Sequence, residues 1–188
     1  DSLYINKQGE WKLANSPLRP LTELTQGPFH SFLPWTKQNP GKPIQTDIYF
    51  PVLHGPYGED GTIQGLLEMA DVPYVGASVL ASAVGMDKAV MKAIFQHRNL
   101  PVVKFSVFHD SDWKTRPESI LKHIRREFGL PFFVKPANLG SSVGITKVKS
   151  HAGTEAALEL AFCYDRKILV EEGITGRELE CSVLGNDE

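Results

Sequence analysis

Cysteine is scarce in this chain: Cys163 and Cys181 are the only two among 188 residues. With neither metal-ligand spacing nor a disulfide-rich context, they read as reduced thiols of a cytosolic kind. The six histidines are scattered without a zinc-type pair. An excess of one charge is also missing, since 20 Lys and Arg face 22 Asp and Glu for a net charge of -2. That balance argues against a nucleic-acid surface. No apolar run reaches membrane-spanning length and no secretory leader pattern is visible, so neither a membrane nor export is expected. Neither GxGxxG nor GxxxxGK[ST] occurs, which disfavours a nicotinamide-dependent Rossmann enzyme. Internal repeats, low-complexity tracts and heptads are absent as well. What is present is 41% hydrophobic content, enough for a genuine core. The chain opens without methionine and stops just after a strand-like run, so both ends are expected to continue in a longer protein.

Taken in order, Leu3, Tyr4 and Ile5, then Trp11 and Leu13, flank the turn-like Asn6-Lys7-Gln8-Gly9 and predict a hairpin. From Ala14 to Thr46, six prolines break any periodicity and predict a long irregular connection. Asp47 to Leu53 is expected as a buried strand, followed by His54-Gly55-Pro56-Tyr57-Gly58-Glu59-Asp60-Gly61 at its C-terminal edge. Open α/β sheets place ligands there. The two carboxylates have a plainer reading, favouring the positive end of the next helix, but that leaves His54 unexplained. Thr62 is expected to cap that helix, with Ile63, Leu66, Leu67 and Ala70 on its buried face, and Val72 to Gly76 to return as a parallel strand. Ser78 and Asp87 read as successive N-caps. Behind Asp87, Val90, Met91, Ile94 and Phe95 form an apolar stripe, and Lys88 sits in the first turn, where a cation is either solvated or waiting for an anion.

A strand is predicted over Val102 to Phe108. Thr115 and Glu118 have capping-box spacing before a helix burying Ile120, Leu121, Ile124 and Phe128, with Gly129 as its stop. Phe132 to Val134 reads as a buried strand ending at Lys135, with Pro136 stopping further pairing. A loop of small and polar residues follows, Ala137 to Ser142, in which Gly140 is expected to supply unusual backbone angles, and apolar sequence returns at Val143, Ile145 and Val148. Strand, lysine, hydroxyl-rich loop and strand would make a clamp for phosphate, although alone the loop reads equally as an ordinary glycine hairpin. Thr154 to Phe162 is a further helix, Lys167 to Glu171 a strand, and Glu178 to Leu184 a strand with strict alternation. Glu171, Glu172 and Glu178 are either solvated or acceptors for ribose hydroxyls and an adenine amine. The pattern is α/β and α+β: a Rossmann-like piece to about Gly85, then an α+β piece that does not alternate regularly enough for a doubly wound sheet.

Four stretches then match one family together. HGPYGEDGTIQGLLE from His54, GMDKAVMK from Gly85, FFVKPANLGSSVGITKV from Phe132 and ILVEEGITGRELECSVLGND from Ile168 resemble the D-alanine-D-alanine ligases, which are ATP-grasp enzymes. The related D-alanine-D-lactate and D-alanine-D-serine ligases of vancomycin resistance resemble the same segments, and a non-catalytic nucleotide-binding module is the reading from another class. The resemblance implies an incomplete N-terminal domain over residues 1–85, a central ATP-grasp domain over 86–176 and the start of a C-terminal domain over 177–188. It implies ATP and Mg2+, D-alanine as substrate, a cytosolic homodimer, and a product used for the cell wall.

By residue, Lys88 and Lys135 match the family's phosphate-contacting lysines, and Gly140, Ser141, Ser142 and Val143 its mobile phosphate-covering loop. Glu171, Glu172 and Ile174 match the adenine pocket and Glu178 the ribose acid. His54 matches the histidine beside the first D-alanine, Ser141 the serine near that substrate's carboxylate, and Glu59 a group that holds this region. The substrate glutamate would precede Asp1, and the metal-binding acids and asparagine would follow Glu188, so no metal ligand is assigned here. Pro56-Tyr57 departs from the smaller residues the family often has.

Overall fold

A computed structural model describes residues 2–5, 11–14 and 47–185. The expected Asn6 to Gly9 turn and the proline-rich connection after Ala14 lie outside the described residues up to position 46. The chain divides into two compact units, one of Asp1–Pro51 with Gln64–Gly76 and one of Val52–Ile63 with Ala77–Glu188.

In the first unit, β1 (Ser2–Ile5) and β2 (Trp11–Ala14) pair antiparallel with Leu3 opposite Leu13, as the hairpin pattern predicts. The buried strand expected over Asp47 to Leu53 does not form among the described residues. Tyr49 and Tyr74 make a single parallel bridge, and Ile48 and Phe50 are 52% and 70% exposed. The parallel sense agrees with the expected β-α-β order, but Pro51 has no amide to extend the ladder. The intervening helix, α1 (Thr62–Met69), buries Ile63 and Leu67 as its period requires. Thr62 is its first residue rather than its cap. That work falls to Asp60, whose carboxylate accepts from Thr62 N at 3.0 Å and Tyr57 N at 2.8 Å.

The second unit is built on a four-stranded antiparallel sheet in the order β3 (Phe105–His109), β6 (Lys167–Glu172), β4 (Phe132–Pro136), β5 (Thr146–Val148). Period-2 alternation gives this sheet two unlike faces. On one, Phe132, Val134, Val148, Ile168 and Val170 pack against α5 (Pro117–Glu127) and α6 (Thr154–Phe162). Ile124 and Leu158 are completely buried in that layer. Three corrections apply at its edges. A short helix, α4 (Asp110–Thr115), precedes α5, so Thr115 ends one helix instead of capping the next and hydrogen-bonds back to the Ser111 carbonyl. Arg116 takes the cap position and Pro117 the first turn, where a missing amide costs nothing. Pro136 remains in register with Ile168, so β4 runs two residues further than Val134.

The other face is covered by α3 (Lys88–His97), which follows α2 (Val79–Met86). Its apolar stripe does not make the contact: Val90, Ile94 and Phe95 are 40%, 42% and 38% exposed. Ala89 instead packs with Ala137 and Leu169, flanked by Phe105 and Val107. A small residue lets the helix come close, and the turn bearing Lys88 and Lys92 is thereby aimed at the sheet. Glu178 to Leu184, expected as a strand, is not one, with Leu179 and Val183 at 80% and 89% exposed. Alternation defines a face, but a strand also needs a neighbour, and none pairs with it among the described residues.

Candidate functional site

The charged face is organised by one cross-strand row, Phe105, Glu171, Phe133 and Lys147, taken from β3, β6, β4 and β5 in turn. Lys135 is two residues along β4 from Phe133, so it projects on the same side. Its Nζ lies 2.5 Å from Glu171 Oε2 and 5.5 Å from the centre of the Phe133 ring, with Lys147 Nζ 5.4 Å from that ring. Lys92, reaching in from α3, lies 2.8 Å from Glu171 Oε1 and over the Phe105 ring. A carboxylate 5% exposed therefore holds a lysine at each oxygen. Burial alone would raise the Glu171 carboxyl, but Lys135 and Lys92 outweigh it and hold it below its usual value.

Asp87 sets the start of α3 by accepting from Ala89 N at 3.0 Å and Val90 N at 3.1 Å, and its other oxygen binds Lys167 of β6. Burial would raise this carboxyl too; Lys167 and the two amides bring it below the ordinary value. Helix and strand are thus pinned together where Lys88 begins. Lys88 Nζ donates to the Ala137 carbonyl at 3.3 Å and to the Leu139 carbonyl. Burial, and then the charge of Lys135, lowers its pKa, with Glu171, Asp165 and Asp87 opposing.

The loop after β4 is rooted by Asp165, whose Oδ2 accepts from Asn138 N and Nδ2 at 2.8 and 2.9 Å while Oδ1 accepts from Lys167 N at 3.0 Å. Beyond that root Ser141, Ser142 and Val143 are exposed. The left-handed backbone expected at Gly140 falls elsewhere, on Ser141 (φ 50°), Ser142 (φ 59°) and Gly144 (φ 71°). Only the last is relieved by a missing side chain, since a Cβ on Gly144 would come within 2.8 Å of Pro136 and Tyr164. Holding two serines in that region is mildly unfavourable.

The loop before α1 reaches the same place. Glu59 turns back so that Oε2 accepts from Gly55 N, and this same oxygen is 3.9 Å from where a Cβ on Gly140 would stand. Glu59 and Asp60 therefore differ, one bracing the histidine loop and the other capping a helix. His54 itself is exposed and makes no hydrogen bond or ion pair among the described residues. Tyr57 is left-handed at φ 69° and 74% exposed, so the Pro56-Tyr57 departure forms a protruding corner.

Of the expected set, Lys88, Lys135, Glu171, Gly140 and Glu59 come together, with Ser141, Ser142 and Val143 on the overlying loop. Glu172 ends β6, and Ile174 and Glu178 follow it, all three exposed. Gly173 fixes how the chain leaves the sheet: its amide donates to the Pro131 carbonyl at 3.1 Å, and a Cβ would stand 2.3 Å from that oxygen. Lys92, Asp165 and Asn138 were not singled out by sequence. For Lys92 the one available signal was its spacing, four residues after Lys88 and so on the same helix face. Among the described residues no group of three or more His, Cys, Asp or Glu side chains could hold a metal. No helix among them is long and apolar enough to cross a membrane.

Family models for the D-ala D-ala ligase N-terminus and C-terminus match residues 2–77 and 94–188. The D-alanine--D-alanine ligase of Bacillus velezensis is 49% identical, aligned over 99% of this chain and 56% of that protein. That of Heliobacterium modesticaldum is 48% identical over 100% and 54%. Among solved structures, the D-alanine-D-alanine ligase from Coxiella burnetii is similar with a TM-score of 0.84 and 32% identity, over 99% of this chain and 57% of that one. The VanG D-Ala:D-Ser ligase from Enterococcus faecalis is similar with a TM-score of 0.65 and 41% identity, over 72% and 38%. The chain thus spans about half the length of the curated relatives it matches.

Proposed function

The chain belongs to the D-alanine-D-alanine ligase family, and from that premise we propose that the full-length protein joins two D-alanines at the expense of ATP. The carboxylate of the first D-alanine takes the terminal phosphoryl group of ATP. The amine of the second attacks the acyl phosphate, and phosphate leaves through a tetrahedral intermediate to give the dipeptide. Such chemistry asks the protein for positioning and charge neutralisation more than for covalent help.

The observation that carries this reading is the placement of two part-buried lysines at the root of the 137–143 loop: Lys88 Nζ donates to the Ala137 and Leu139 carbonyls, and Lys135 lies near the end of β4, the strand that leads into the loop. Like charges repel, and their convergence makes sense where a polyanion comes to lie between them. In this reading both neutralise the phosphates, and Gly140, Ser141, Ser142 and Val143 cover them and exclude water from the acyl phosphate. Glu171, Glu172 and Ile174 border the adenine, and Glu178 accepts from the ribose. His54 donates to the reacting carboxyl oxygen, Ser141 meets the first substrate's carboxylate, and Glu59 keeps the His54 loop in shape through Gly55. Magnesium would be held by residues outside this set, and no step is assigned through it. The domain division at residues 85 and 176, a homodimer and a cytosolic location belong to the same proposal.

The test supplies the full-length protein with ATP, magnesium and D-alanine, with D-serine and D-lactate as rival second substrates. ADP release is followed and the products are weighed. D-alanyl-D-alanine as the main product is the expected result. A serine-containing product would favour the second reading, which the likeness to the D-Ala:D-Ser ligase supports. Nucleotide binding without any product would favour a non-catalytic module.

A further inference from the structure

Glu171 is nearly inaccessible, yet it is bound by two lysines of unlike surroundings. Lys135 is 24% exposed, near the end of the strand that leads into the loop; Lys92, on α3, is 13% exposed and lies over the Phe105 ring. To serve a phosphate, the Lys135 ammonium would turn donors from Glu171 toward the nucleotide, which weakens its hold on the carboxylate. A carboxylate so deeply buried cannot be left without a counter-ion, because desolvating a lone charge costs several kcal/mol in order of magnitude. Lys92 can remain: it is the less exposed of the two, and the Phe105 ring face beneath it favours a cation.

Resting on the ATP-dependent reading above, we propose that Lys92 is a positioning residue, the permanent counter-ion of Glu171 that lets Lys135 transfer from this carboxylate to the phosphates of the incoming nucleotide. Without Lys92, Glu171 would hold Lys135 as its sole partner, and nucleotide would have to compete for it. The nucleotide site thereby weakens while the D-alanine site, which this triad does not touch, is spared.

The experiment measures ADP affinity by titration calorimetry, and KM for ATP and for D-alanine, in the full-length wild type, Lys92→Met, Lys92→Arg, Glu171→Gln and the double variant Lys92→Met with Glu171→Gln. We expect Lys92→Met to weaken ADP binding by about tenfold or more, as for a broken buried ion pair, and to raise KM for ATP with little change in KM for D-alanine. Lys92→Arg should restore most of the affinity. In the Glu171→Gln background the loss should shrink to within about twofold, because the charge needing compensation is gone. Wild-type ADP affinity in Lys92→Met would overturn the inference. So would equal weakening of both substrates with a lowered Tm that arginine does not rescue, which is the mark of a packing role. A wild type that binds no nucleotide at all would instead overturn the ATP-dependent reading, and this inference with it.

Discussion

The two faces of the four-stranded sheet are made from the same strands, and alternate residues of one run serve opposite ends. Ile168 and Val170 lie in a dry layer against α5 and α6, while Leu169 and Glu171, one position over, face α3 and the lysines. The dry face is held by many interchangeable apolar contacts, each small and together large. The charged face is held by few contacts, each with a named partner and a geometry that cannot be averaged. Damage to the first should therefore appear in stability, and damage to the second in function.

The sharpest break in that contrast is Lys135→Met. Removing one charge-stabilising group from phosphoryl transfer should lower kcat/KM by roughly 10²–10³-fold, while Tm changes little. Steady-state kinetics with a parallel melt checks this, and a collapse of Tm with the activity would merge the two faces into one role. The reverse case is Leu158→Ala, at a site with no exposure. It should cost about 2–5 kcal/mol in denaturant unfolding, leaving KM for ATP near wild type at temperatures where the variant is folded.

A third variant tests the point where β6 leaves both faces. Gly173→Ala would force a Cβ against the Pro131 carbonyl, with an expected loss of about 1–3 kcal/mol and a raised KM for ATP, because the segment bearing Ile174 must shift. Unchanged nucleotide affinity would detach that segment from the site.

The smallest effect sharpens the comparison between buried and exposed charge. Glu127, 29% exposed beside Arg126 and Lys104, has a carboxyl lowered to about 2 by the hydrogen bonds it accepts from both. A lowered folded-state pKa adds stability that is present above the unfolded value, near 4.5, and is lost as pH falls toward about 2. Glu127→Gln should therefore differ slightly from wild type at pH 7 and not at all at the acid end. Glu171 has the same sign, but its variant should show a larger loss at neutral pH, since water does not screen it. Urea melts at several pH values compare the two.

Much of this was legible in the chain. The helices over Pro117–Glu127 and Thr154–Phe162 and the strands around Phe132 and Ile168 follow from period and composition. So do the hairpin of β1 and β2 and the capping of α3 by Asp87. The misread segments share a cause. Asp47 to Leu53 has the apolar run of a buried strand and Glu178 to Leu184 the alternation of a half-buried one, yet neither pattern says anything of a partner. Val90, Ile94 and Phe95 marked the wrong face of α3, because a hydrophobic stripe predicts burial only where something covers it.

What the sequence determined by itself was the local vocabulary: helix and strand lengths, a lysine at the start of one helix and at the end of one strand, and four motifs whose order and spacing belong to one ligase family. Tertiary structure alone decided that Glu171, far from both in sequence, lies between Lys92 and Lys135, and that Glu59 and Gly140 meet although eighty residues separate them. Ion pairs and backbone approaches of this kind depend on distances across strands and helices, which no one-dimensional period encodes. They form only once strand register and the approach of α3 through Ala89 have set those distances.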